Sequence, residues 1–452
     1  MAKAARKAPQ TLEYRILVTA TMCLLAYGAV MVYSATSATA LLEGKGTGSE
    51  YLIKFVVCGA IGLVVMHALA RDGVAKVQNL VGPLLAVSFA LVLAVHVPHV
   101  GVEVNDAKRW IGPSVLQFEP SELLKIALVL YGATLLARRP QRVHDLRELA
   151  RPLLVVVGCA CVLLVTEPDL GSAMVIAFTT TALLVAAGIP ARNLAIVAGA
   201  TLGAVLLYAI ARPYARARLT SFVDPWAHAS GSGFQAVQGQ IAIGSGGLFG
   251  VGPGQSVQKV FYLPEAPSDF ILAVIAEELG VVGVCALLFL YGLIAYAGLR
   301  VAKAARSLHS ALIAVGMTTL IVSQALLNAF AVLGLAPLTG VTLPFVSYGA
   351  SSLIVMLAAM GFLLNVAAGG TAHVRAVPST RSRARAVSSS PGPASRAGGA
   401  REDDRAASNR RSADARKPAG WGREQDDEDR DRGRRYGGAR GARAGGGRRA
   451  AG

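Results

Sequence analysis

The chain has 452 residues, 54% of them hydrophobic, a net charge of +17 and a mean hydropathy of +0.51. Apolar runs of about 17–25 residues, the length that crosses roughly 30 Å of hydrocarbon, recur along its first 368 positions. This excludes an ordinary water-soluble enzyme, and the continuity of the runs, which do not alternate, argues against transmembrane strands.

Lys3, Arg6 and Lys7 precede an apolar run that resembles a signal sequence. The run is long and further spans follow, so it reads as an uncleaved anchor. Ten helices are expected, roughly 14–34, 51–70, 77–97, 120–137, 153–166, 169–188, 193–211, 268–299, 308–334 and 345–368. Only Glu167-Pro168-Asp169 divides the fifth from the sixth. Cys23, Cys58, Cys159, Cys161 and Cys285 all fall inside these spans and read as buried free thiols, with no metal spacing or disulfide framework.

With the N-terminus inside and ten spans threaded, the inner loops carry Arg71, Lys76, Arg138, Arg139, Arg142, Arg147, Arg151, Arg192, Arg300, Lys303 and Arg306. The longer outer loops hold fewer basic residues, which favours both termini inside. The expected organisation is therefore a short basic N-terminus (1–13), a ten-helix domain (14–368) with a large outer loop (212–267) between helices seven and eight, and a tail (369–452). The tail has 20 Lys/Arg against 10 Asp/Glu and almost no large apolar side chains. It cannot bury a core and is expected to be disordered and cytoplasmic. Its charge suits anionic membrane lipid and a docking partner protein. No nucleic acid is expected, because only Trp421 and Tyr436 supply stacking aromatics.

Several polar groups sit where apolar spans begin. Pro120 suits the first helical position of span four, where Glu122 and Lys125 share a face. They are either an internal pair or a cation lining a cavity for an anionic headgroup, with Glu277 and Glu278 of span eight as candidate partners for Lys125. Arg109 beside Trp110 is either an interfacial anchor or a guanidinium fork for pyrophosphate. Asp169 suits the cap of span six. His96 and His99 read as ordinary interface histidines. Glu265 and Asp269 stand at the mouth of span eight, where a charge is costly and tends to serve chemistry. The run Gly244-Ser245-Gly246-Gly247-Leu248-Phe249-Gly250-Val251-Gly252-Pro253-Gly254 lacks a Gly-Lys-Ser/Thr ending and a preceding strand, so it is no phosphate loop. Flexibility around a bulky lipid-linked substrate is the expected role.

Taken together, Arg109-Trp110-Ile111, Pro120-Ser121-Glu122-Leu123-Leu124-Lys125, Glu167-Pro168-Asp169-Leu170-Gly171 and Asp224-Pro225-Trp226 resemble the SEDS family of bacterial cell-envelope proteins (FtsW, RodA and SpoVE). So do Ser256-Val257-Gln258-Lys259, Tyr262-Leu263-Pro264-Glu265-Ala266, Asp269-Phe270, Glu277-Glu278-Leu279-Gly280 and the run from Thr339 to Gly349. The resemblance covers about 14–368 and looks more like FtsW than RodA. It departs at Pro267-Ser268, where the family usually has His-Thr.

The resemblance implies a glycosyltransferase of the bacterial inner membrane. It would polymerise lipid II on the outer face for division, working with a class B penicillin-binding protein and other division proteins. The family's essential carboxylate falls on Asp269. Arg109, Lys125, Glu265, Gln235, Lys259 and Ser347 are the expected substrate-binding positions, and Glu122, Glu277, Glu278 and Asp169 the supporting ones. No cofactor is implied; a divalent cation stays open. A lipid II flippase and a non-catalytic division scaffold are the rival functions.

Overall fold

A computed structural model describes residues 11–42, 44, 48–104, 107–113, 117–138, 150–260 and 262–370. Most of the expected N-terminal segment, Arg139, Arg142 and Arg147, and the tail from residue 371 lie outside the described residues. Ten helices match the ten expected spans: α1 (Leu12–Leu42), α2 (Ser49–Val77), α3 (Val81–Val95), α4 (Pro120–Arg138), α5 (Val155–Thr166), α6 (Leu170–Ala186), α7 (Ala191–Ala211), α10 (Ile271–Ala304), α11 (Leu308–Val332) and α12 (Ala350–Ala367). Two more, α8 (Pro213–Val223) and α9 (Phe234–Gly246), fall within the expected outer loop. Six helices (α1, α2, α4, α10, α11 and α12) are long and apolar enough to cross a membrane, and α3, α5, α6 and part of α7 are shorter apolar helices. The chain is a mostly helical, multi-pass membrane protein.

The helices are arranged around α4, α11 and α12, whose faces are largely buried; α12 lies along α2, α10 packs on α1 and α11, and α4 is lined by α3, α6 and α11. Local chemistry sets the ends. Asp169 accepts from Ser172 N (3.1 Å) and caps α6, while Ser307 accepts from Ser310 N (3.1 Å) and caps α11. Gly334, at φ 73°, supplies the left-handed turn beyond α11.

Five expectations change. First, α2 runs on to Val77, past the expected end at 70, and its last turn is closed by an Asp72–Lys76 pair at 3.0 Å. Second, the chain is not purely α-helical: β1 (Gly101–Val104) and β2 (Ala107–Ile111) form an antiparallel hairpin ahead of α4, pairing Gly101 with Ile111 and Val102 with Trp110.

Third, the segment 212–267 is largely ordered by helices and hydrogen bonds rather than being one long loop. Fourth, residues 345–349 precede α12 instead of starting it. Leu343, Phe345, Val346 and Ser347 lie buried in an irregular loop under α1, where a Cβ on Gly28 would collide with the Val346 backbone. Such backbone persists at this depth only because protein surrounds it. Finally, Cys23, Cys159 and Cys285 point outward instead of inward. Lipid is as apolar as the core, so a small thiol tolerates either side.

Candidate active site

Asp269 ends a tight turn whose apolar members, Leu263, Ala266 and Phe270, are buried and anchor it to the bundle. Gly239 of α9 lets the Phe270 ring approach its backbone. Asn328, from α11, donates through Nδ2 to the carbonyls of Asp269 (2.6 Å) and Val341 (2.7 Å), and Tyr348 N donates to Pro267 O (2.9 Å). The turn is therefore fixed by its backbone, leaving the Asp269 side chain partly exposed. Ser268 Oγ donates to Glu265 Oε2 (2.8 Å) and lies 3.4 Å from Asp269 Oδ1, bridging the two carboxylates. That gives Pro267-Ser268 a local role. Glu265 holds a left-handed φ of 54°, a strain such as functional turns often store. Burial, then the neighbouring Glu265 charge, raises the Asp269 carboxyl to about 7, against the pull of its backbone, Arg218 and Ser268.

Arg109 reaches the same place from β2. A Cβ built on Gly340 would lie 3.7 Å from Arg109 Nη1 and 3.9 Å from Asp269 Oδ2. The guanidinium and the carboxylate thus converge on one glycine at φ 69°. Arg109 Nε donates to Glu167 O (3.1 Å), its Nη2 donates to Pro168 O, and Nη1 stands 4.0 Å from Asp169 Oδ1. Arg218 of α8 donates to Leu338 O (2.8 Å) and completes a second cationic side. A Gly340→Val substitution is expected to push a branched side chain between Arg109 and Asp269 in a backbone conformation that disfavours it. Activity at this site should fall at least tenfold, measured on purified protein whose thermal midpoint stays within a few degrees of the parent.

Below Arg109 gather Glu119, Glu167 and Asp169. Burial, then Asp169 and Glu122, raises Glu119 to about 7, countered by Lys125 and Arg109. Burial, then Asp169 and Glu119, raises Glu167 to about 8, countered by Arg109. Asp169 thus caps α6 and faces Arg109 at once.

Lys125 is corrected from substrate binder to internal pair. It is 1% exposed, 2.9 Å from Glu122 Oε2 and 2.9 Å from Gln324 Oε1. Its expected partners Glu277 and Glu278 are engaged elsewhere. Lys259 is corrected too. It is 2% exposed, and its Nζ meets Glu278 Oε1 (2.7 Å), Gly254 O (2.9 Å) and Ser34 Oγ (3.2 Å). Ser347 is buried in its own turn, where its hydroxyl accepts from Leu343 N (2.8 Å). All three are buried and held by protein partners in this structure. Gln235 donates to Pro264 O (3.2 Å) and supports the Asp269 turn rather than presenting itself freely.

The glycine-rich run is not slack either. Gly280, at φ 66° and ψ −165°, breaks α10, and the loop fills the gap. Val251 N donates to Glu277 O (2.9 Å) and Gly252 N to Glu278 O (3.1 Å), while Val281 N donates to Gly247 O (3.0 Å) and Val282 N to Leu248 O (3.2 Å). Glu277 accepts from Val257 N (3.0 Å) and Ser256 Oγ (2.5 Å), and Glu278 from Gly254 N (3.0 Å) and Ser34 Oγ (2.7 Å). Glycines serve here for close backbone approach, not flexibility.

Sequence reasoning missed Asn328, Gln324, Arg218 and Ser34. A signal existed for the first two: amides four residues apart share one face of an apolar helix, where polar groups are costly. Ser34 carried none.

The family model described as cell cycle protein, covering FtsW, RodA and SpoVE, matches residues 14–371. The stage V sporulation protein E of Bacillus subtilis is 36% identical over 352 residues, which covers 78% of this chain and 96% of that protein. The probable peptidoglycan glycosyltransferase FtsW of Coxiella burnetii is 39% identical over 356 residues, 78% and 95% of the two chains. A solved chain from a peptidoglycan synthase complex that coordinates polymerization and crosslinking superposes with a TM-score of 0.64 at 31% identity, covering 78% of this chain and 96% of that one.

Proposed function

The chain belongs to the FtsW, RodA and SpoVE family of cell cycle proteins, and from that premise we propose how its Asp269 site performs peptidoglycan glycosyl transfer. The protein is a peptidoglycan glycosyltransferase of the bacterial inner membrane, most like FtsW, that polymerises glycan strands for septal wall. Its substrate is lipid II, ten helices cross the membrane with both termini inside, and the Asp269 end faces outward. No nucleotide is needed, because the activated bond is already in the substrate.

In chain extension a sugar hydroxyl of the acceptor attacks an anomeric carbon. The new C–O bond forms as the bond to lipid pyrophosphate breaks, and the hydroxyl proton passes to the Asp269 carboxylate as general base. Arg109 and Arg218 stand where positive charge stabilises the departing pyrophosphate. Ser268 orients the base by bridging it to Glu265, and the Glu265 charge raises its proton affinity. The observation that carries this reading is the convergence of Arg109 and Asp269 on Gly340. It is tested by incubating purified protein with labelled lipid II, with and without a cognate class B penicillin-binding protein. Asp269→Ala protein that folds and still polymerises would overturn it.

The tail binds other division proteins and anionic lipid rather than taking part in chemistry. Deleting 371–452 should leave polymerisation by purified protein within about twofold of the parent, and should reduce septal recruitment seen by fluorescence. A pure scaffold would lose its role on the same deletion and show no polymerisation of its own.

A further inference from the structure

The ends of five helices, α1, α2, α10, α11 and α12, enclose a cavity of about 520 Å3. It lies at the far end of α10, whose 24 residues beyond the break at Gly280, at 1.5 Å each, carry the chain about 36 Å further from the Asp269 turn. The size is that of a small-molecule site. One wall is apolar, formed by Ala70, Val301 and Val366, and the rim carries Arg71 and Arg306.

The charge at this rim is uncompensated. Glu13, the carboxylate that lines the cavity, is held by Arg300 Nε at 3.2 Å, and Asp72, next in chain to Arg71, is held by Lys76 at 3.0 Å. Among the described residues, no carboxylate pairs with Arg71 or Arg306. His67 adds a ring beside the two guanidinium groups at the mouth, and Ser310 brings the first turn of α11, with its favourable dipole for anions, to the same cavity.

Two guanidinium forks above an apolar wall, at the level where apolar helices end, suit a ligand that is phosphate at one side and hydrocarbon at the other. We propose that this cavity binds a phosphate-bearing anion, the headgroup of an anionic phospholipid, and that the bound lipid ties the five helix ends together. The site is separate from the glycosyl-transfer centre, and the inference does not depend on that reading.

The test uses full-length protein in nanodiscs of phosphatidylcholine, with thermal unfolding followed as phosphatidylglycerol is titrated in and, in a separate arm, as inorganic phosphate is added. Phosphatidylglycerol should raise the midpoint by about 2–5 °C, as ligand binding to the folded state alone does. Arg71→Ala/Arg306→Ala should lose that shift while keeping the parent's polymerisation rate, and Arg71→Lys/Arg306→Lys should keep part of it, since charge remains but the forks are lost. An equal shift from inorganic phosphate, also lost in the Ala variant, supports the same anion site filled from solution. A shift that survives in the Ala variant, or none from either ligand, overturns the proposal.

Discussion

Asp269→Asn protein should fold and lose polymerisation by about 10²–10⁴-fold, the span usual for removing a general base. The substitution is nearly isosteric, and the neighbours that fix the turn, Asn328 and Tyr348, hold the backbone of Asp269 and Pro267 rather than the carboxylate. The fold should therefore survive and the proton acceptor vanish. The pH dependence gives a second check. A base with its proton affinity raised to about 7 is active only once deprotonated, so the rate should climb about tenfold per pH unit below 7 and level off above it. Converting Glu265 to Gln removes a charge that raises the Asp269 value, and the rise should move to lower pH. Radiolabelled lipid II assays across pH 5–9 read both effects, and a profile flat through 7 would contradict the assignment.

Lys259→Met should cost about 3–5 kcal/mol, the usual penalty for leaving a buried charge without its partner. Glu278 would then keep Ser34 Oγ and Gly254 N but lose its only cation among the described residues. The damage should reach the active site, because Glu277 and Glu278 also bind the glycine-rich loop to the break at Gly280 and so fix the first segment of α10, which Asp269 precedes. A lower unfolding midpoint and weaker polymerisation are expected together. Lys259→Met/Glu278→Gln removes both charges and should recover much of the stability, a coupling that a double-mutant cycle measures. Equal losses in the single and double variants would show that the ion pair is not the source.

The two predictions differ in how far the chain announced them. Asp269 was legible because a carboxylate opening an apolar span is costly wherever the fold puts it. The pairing of Lys259 was not, since Glu278 stands 19 residues on and Ser34, which joins the pair, lies 225 residues away. The same holds for Lys125, whose neighbour Glu122 was visible at three residues' distance while Gln324 lies 199 residues on.

By itself, then, the sequence determined where the apolar helices lie, though not all their ends, together with the break at Glu167-Pro168-Asp169, the cap of α6 and the carboxylate at the mouth of α10. Each depends on composition or spacing within one or two turns, because a segment in lipid must satisfy its backbone within itself. Tertiary structure alone decided which charges meet at the Asp269 turn and which are buried pairs. It also turned the glycine run into a stitched break in α10, and it sank residues 343–347 beneath α1. The reason is physical: a charge inside the bundle is stable only when counter-charge and hydrogen-bond partners surround it, and much of that set arrives from distant segments, as Gln324 does for Lys125 and Ser34 for Lys259.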